Sequence, residues 1–229
     1  MGTQAMEVPS QVVQRISIRW LPDVAFEDTT TVALNVGGYF VDLRVTIADQ
    51  SIQWSQAGER IILKRDADSV TVRWTHIIDS LGLTEPDEAK IEKLPNGDEL
   101  ESGVTPAPHK DNIPTAFEEV WRDVTTKKTH TELSWILQSS DENTFIGKVG
   151  NIYVTNRKSA TGFAARREDR ADAEGNDTWT VTFQSENGTG LPSATQAVAA
   201  IDSPGQSWTN GQNVDIAGVN YIFRAVSAS

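Results

Sequence analysis

The residues with the most chemical content lie in Ala116-Phe-Glu-Glu-Val-Trp-Arg-Asp-Val124. Read as a strand, this stretch puts Phe117, Glu119, Trp121 and Asp123 on one face and Glu118, Val120, Arg122 and Val124 on the other. A carboxyl pressed against aromatic surface loses solvation, so its pKa rises and it can serve as a general acid near neutral pH. Glu119 is therefore the candidate acid. Arg19, Arg44 and Arg73 recur on the polar sides of three other strands. Left in solvent they are an ordinary outer face; covered by a second body they pair with Glu118, Glu119 or Asp123. The tryptophans, Trp20, Trp54, Trp74 and Trp121 in the first half and Trp135, Trp179 and Trp208 in the second, fill a core or form the wall of an apolar ligand pocket. Residue types leave both readings open.

Other chemistry is disfavoured. The histidines His76, His109 and His130 show no i,i+2 or i,i+4 pair and there is no cysteine, so no zinc or iron site is expected and no cofactor is implied. No nucleophile elbow, phosphate-binding loop, dinucleotide fingerprint or EF-hand loop occurs. The net charge of −12 argues against nucleic acid and reads either as solubility or as a face for a basic protein partner. No apolar run reaches the ~20 residues of a membrane span, and the opening MGTQAMEVPSQVVQR lacks the pattern of a secretory signal. A cytoplasmic protein is the expectation. The sequons at Asn176 and Asn187 read as turn sequences. The oligomeric state is left open, with a homodimer as one option.

The elements that must position these residues are short strands. Ile16, Ile18 and Trp20 alternate with Ser17 and Arg19. Val32, Leu34 and Val36 lead through the turn residues Gly37-Gly38 into Tyr39–Ile47, where Tyr39, Val41, Leu43 and Val45 oppose Phe40, Asp42 and Arg44. Further strands are predicted at 51–55, 59–65 and 70–74, and a hairpin turns at Asn96-Gly97. A proline-rich loop is expected from Thr105 to Pro114. The second half repeats the plan without residue-level repetition. It adds one helix, capped by Ser193-Ala-Thr-Gln196, with Ala194, Val198 and Ile201 on one face and a stop at Ser203-Pro204-Gly205. Close-set strands with almost no helical periodicity predict an all-β protein of two consecutive antiparallel barrels, 1–127 and 128–229, the helix belonging to the second. The strand holding Trp121 is expected at their seam, bordering a greasy hollow with few charges.

Ser17-Ile-Arg-Trp-Leu-Pro-Asp23, Tyr39-Phe-Val-Asp-Leu-Arg44, Leu100-Glu-Ser-Gly103 with the Ala116–Asp123 run, and Val149-Gly-Asn-Ile-Tyr153 resemble, in this order and nearly end to end, the fungal Hri family, named for a protein that interacts with a casein kinase. None of these segments is a catalytic motif. The resemblance implies tandem lipocalin-like barrels. Trp54-Ser-Gln-Ala-Gly58 departs from the aromatic-rich run expected of housekeeping members, and such divergent relatives are similar to hetero-Diels–Alderases of fungal secondary metabolism. These join a tropolone quinone methide to a humulene-type sesquiterpene. That likeness implies a cofactor-free pericyclase with a small apolar substrate, Glu119 as acid, Arg73 with Arg19 and Arg44 as oxygen-binding donors, and Trp20, Tyr39, Trp54, Trp74 and Trp121 as wall. The housekeeping likeness implies instead a non-catalytic adaptor with a kinase partner, and the lipocalin build a small-molecule carrier.

Overall fold

A computed structural model describes residues 10–111, 113–126, 132–171, 178–202 and 206–228. His130, the Asn176 sequon, the helix stop at Ser203-Pro204-Gly205 and the expected boundary after residue 127 lie outside them.

The described residues are all-β with one α-helix, as the short alternating runs predict. The first sheet holds β1 (Gln11–Trp20), β2 (Thr29–Val36), β3 (Tyr39–Thr46), β4 (Ile52–Arg65), β5 (Ser69–Trp74), β6 (Ile78–Asp79), β7 (Asp87–Lys93), β8 (Glu99–Ala107) and β9 (Ile113–Asp123). Its order is β3-β2-β1-β9-β8-β7-β5-β4, and β4 pairs again with β3. Eight antiparallel strands thus close on themselves, which removes exposed edges. The β2–β3 hairpin turns where the sequence predicts, with Gly37 at φ +56°. Long strand β4 serves β3 up to Glu59 and β5 from Arg60 onward. Gly58 sits at that corner, where a Cβ would come within 2.1 Å of the Thr75 carbonyl oxygen, so only glycine fits.

The expected loop from Thr105 to Pro114 is ladder at both ends, with a 3-10 turn at Pro108–Lys110 between them. β8 runs to Ala107, β9 begins at Ile113, and Pro106 opposes Pro114, so the two missing N–H donors fall on a single rung.

The second sheet holds β10 (Leu133–Ser139), β11 (Thr144–Val149), β12 (Ile152–Ser159), β13 (Gly162–Arg170), β14 (Trp179–Gln184), β15 (Asn213–Ile216) and β16 (Val219–Ala228), in the order β14-β13-β12-β11-β10-β16-β15. The helix α1 (Ala194–Ile201) has the predicted capping box, but Ala197 rather than Val198 joins Ala194 and Ile201 in the buried stripe. Those three pack among Trp135, Tyr153 and Phe223. Trp179 from one end strand and Ile216 from the other reach the same cluster, so the sheet curls around α1. The two end strands are not paired with each other among the described residues.

The opposite face of this sheet presents Ile136, Phe145, Val154 and Ala225 to Val32, Leu34, Val41 and Leu43 of the barrel. The sheets therefore meet along β2 and β3. The expectation that the Trp121 strand forms the seam is wrong: β9 lies between β1 and β8 and turns Trp121 into the barrel. The apolar sides of β2 and β3 form the outer wall, covered by the second sheet, and their polar sides face inward. At Gly147 a Cβ would lie 3.1 Å from Leu34 Cδ1, so the approach is close. Asn156 Nδ2 crosses the seam and donates to the Asp42 carbonyl oxygen at 3.1 Å. Among the described residues, no helix is long and apolar enough to cross a membrane.

Candidate functional site

The barrel contains a cavity of about 1210 Å³. Exposed Phe26, Leu81, Leu83 and Val104 rim it beside Trp20, Trp74 and Phe117. Deeper positions are polar because β2 and β3 turn Asn35, Asp42 and Arg44 inward and β9 adds Glu119. The expected greasy hollow with few charges is thus corrected: the rim is apolar and the interior carries arginines and carboxyls.

A β-bulge sets the wall of β1. Its pairing with β9 shifts between Arg15 and Ser17, so Val13 and Arg15 face the lumen before the shift and Ile18 and Trp20 after it. Ile16, expected to share a face with Ile18 and Trp20, is turned out and 39% exposed. Strict alternation fails here by one residue.

Glu119 faces the lumen and is buried. Arg15 Nη1 donates to its Oε1 at 2.6 Å and Arg44 Nη1 to the same oxygen at 3.1 Å. Arg15 also donates to Glu27 at 2.8 Å, and Arg44 Nε to Asp42 at 3.1 Å. Glu119 therefore orients two guanidiniums instead of standing alone against aromatic surface. Directly across the β8–β9 ladder is Glu101. Opposed residues of this kind have Cβ atoms about 5 Å apart. Glu101 has no ion-pair partner among the described residues, and burial followed by the charge of Glu119 pushes its pKa up to about 8, with Arg44 opposing. At neutral pH it mostly keeps its proton and can donate. The lumen thus holds two adjacent carboxyls, Glu119 held by two guanidiniums and Glu101 with no ion pair among the described residues.

Arg60, on β4 opposite Trp74, also lines the cavity. Burial lowers its pKa while Glu99 and Glu101 act the other way.

Of the residues expected in a site, Glu119, Arg44, Trp20, Trp54, Trp74 and Trp121 line the same cavity. The Arg44 guanidinium carbon lies 4.5 Å from the Trp54 ring centroid and 5.7 Å from that of Trp121, so one cation is held between two indoles. Arg19, Arg73 and Tyr39 are elsewhere. Arg19 is ion-paired with Glu118 beyond the bulge, and the Arg73 Nε donates to Glu88 at 2.7 Å on the outer surface, because Trp74 takes the inward position next to it. Tyr39 lies on the outer, seam-facing side of β3 and donates to Glu59 at 3.2 Å. Arg15, Arg60 and Glu101 were not singled out by sequence reasoning. Alternation along β4 from Gln56 would have pointed to Arg60; the register across β8 and β9 that exposes Glu101 to Glu119 has no local signal.

The rim is pinned by a buried histidine. His76 Nδ1 lies 2.9 Å from Asp79 and its Nε2 3.2 Å from Asp87. Burial works against the charged ring, but the two carboxylates prevail and raise its pKa to about 9. Asp79 also accepts from Trp54 Nε1 at 2.7 Å and from the backbone N–H groups of Leu81 and Leu83, so wall and rim loop share one anchor. Among the described residues, no group of three or more His, Cys, Asp or Glu side chains could hold a metal ion.

A family model described as Protein HRI1 matches residues 11–220. The crystal structure of an uncharacterized protein from Saccharomyces cerevisiae superposes with a TM-score of 0.71 at 16% identity, covering 96% of this chain and 99% of that one. At that identity the likeness concerns the fold. No curated protein matches.

Proposed function

This chain belongs to the Protein HRI1 family, and on that premise we propose that its first barrel is a chamber for a small molecule with an oxygen-bearing head and an apolar body, used for a cofactor-free cycloaddition. The observation that carries this reading is the Glu101–Glu119 pair in a cavity with an apolar rim. The head enters the polar interior and the body rests among Trp20, Trp74 and Phe117. Glu101 gives its proton to the hydroxyl of a hydroxymethyl-tropolone head. The C–O bond breaks, water leaves, and the ring hydroxyl returns a proton to Glu101, so a neutral quinone methide forms without net proton change. Arg44 polarises the ring oxygens, and Glu119 keeps Arg15 and Arg44 aimed. A humulene-type alkene held at the rim then meets the heterodiene in reacting geometry. Such positioning can lower a barrier by about 7–11 kcal/mol.

The test is incubation of the protein with hydroxymethyl-tropolone precursor and humulenol. Faster adduct formation with one stereoisomer in excess is expected, and E101Q should slow the dehydration step about 100-fold, in the range of general acid catalysis. A rate and product ratio equal to those without protein refute the catalytic reading; saturable binding without turnover would make the barrel a carrier.

A further inference from the structure

The charges of the lumen do not cancel evenly. Arg15 is matched by Glu27 and Glu119, and Arg44 by Asp42 and Glu119. Asp87 is met by His76, and Glu99 by Lys93 at 3.9 Å. Glu101 mostly keeps its proton near neutrality. Arg60 is left over. Its guanidinium has no carboxylate within 4.0 Å and no side-chain hydrogen bond among the described residues, although it lines the cavity beneath Trp74. Arg60 is half-buried, and its planar guanidinium fork suits a carboxylate or similar oxyanion.

We propose that Arg60 is an anion-binding residue and that the molecule taken by the lumen carries a carboxylate, enolate or comparable oxyanion joined to an aromatic or polyene body. This deepens the chamber reading and rests on it. Glu101, protonated and across the lumen, adds a second donor to the same head, and the face of Trp74 beside Arg60 takes the first ring of the body. The head thus meets donors from β4 and β8, while Glu119 is already held by Arg15 and Arg44.

Two fluorescent probes separate the charge from the cavity. 8-Anilinonaphthalene-1-sulfonate carries an oxyanion; N-phenyl-1-naphthylamine has the same aromatic body without it. Titrated at pH 7 with tryptophan energy transfer as the readout, both should bind the wild-type chain. Arg60→Gln should weaken the sulfonate about tenfold or more, as loss of a charge-assisted hydrogen bond predicts, and change the neutral probe less than about twofold. Arg60→Lys should recover most of the loss. On the wild-type chain, naphthalene-1-sulfonate should displace the bound probe about ten times better than naphthalene-1-sulfonamide, a comparison that needs no variant to fold. Equal displacement by the two, or an Arg60→Gln chain that holds the sulfonate unchanged, overturns the anion assignment and leaves the chamber. Failure of both probes to bind the wild-type chain removes the chamber itself.

Discussion

Replacing Glu101 with glutamine should stabilise the protein in mildly alkaline solution, the opposite of the usual result for a buried charged position. In the folded chain the carboxyl titrates at about 8, against an ordinary value of 4.5. Below 4.5 both states hold the proton and Glu101 makes no contribution to the pH dependence. Between 4.5 and about 8 the unfolded chain has released a proton that the folded chain still binds, so stability falls as pH rises. The slope approaches about 1.4 kcal/mol per pH unit for one proton. Because the cavity admits water, the accumulated penalty above pH 8 should be on the order of 2–4 kcal/mol. His76 adds to the same trend: its folded value is raised to about 9, so its stabilisation is complete below 6.5 and lost as pH climbs through 9. The difference between wild type and E101Q isolates the carboxyl, since His76 is common to both. Urea unfolding at pH 5, 7 and 8.5 should show E101Q gaining on wild type at each step and exceeding it at the highest pH. Parallel stability curves would show that Glu101 ionises normally in the folded chain and would refute its role as a neutral-pH acid.

Three further outcomes follow from the geometry. Glu119→Gln removes the shared acceptor of Arg15 and Arg44 and should cost about 3–5 kcal/mol in urea unfolding, as breaking a buried ion pair does; a loss below about 1 kcal/mol would mean that the guanidiniums find other partners. Gly147→Val forces side-chain atoms against Leu34 and Val41 and should destabilise by about 1–3 kcal/mol or more, and an unchanged midpoint would deny the close approach of the two sheets. Asp79→Asn weakens the hold on His76 and on the Leu81 and Leu83 amides, so limited proteolysis should cut within 81–86 faster than in wild type, with the global unfolding midpoint changing much less.

Alternation along a strand sorts residues into two faces but does not say which face looks inward. That limit separates what was legible here from what was not. The Gly37-Gly38 hairpin, the Asn96-Gly97 hairpin and the Ser193 cap follow from local turn and cap chemistry, and each is present. The partition of β3 into Tyr39, Val41, Leu43 and Val45 against Phe40, Asp42 and Arg44 is also correct. Its polarity could not be read, because the valine face is buried outside the barrel by a sheet that begins almost a hundred residues later in the chain. Once that sheet covers the apolar face, Asp42 and Arg44 have only the interior left to them. The interior then needs compensating charge from other strands: Glu119 from β9 and Arg15 from the bulged β1. The second sheet therefore fixes the chemistry of the lumen without lining it. Asn156 makes the dependence direct, since it holds the Asp42 carbonyl oxygen from the far side of the wall. A chain with the same barrel strands but no covering sheet would have every reason to turn β2 and β3 over, putting the valines inside and dispersing the charged set into solvent.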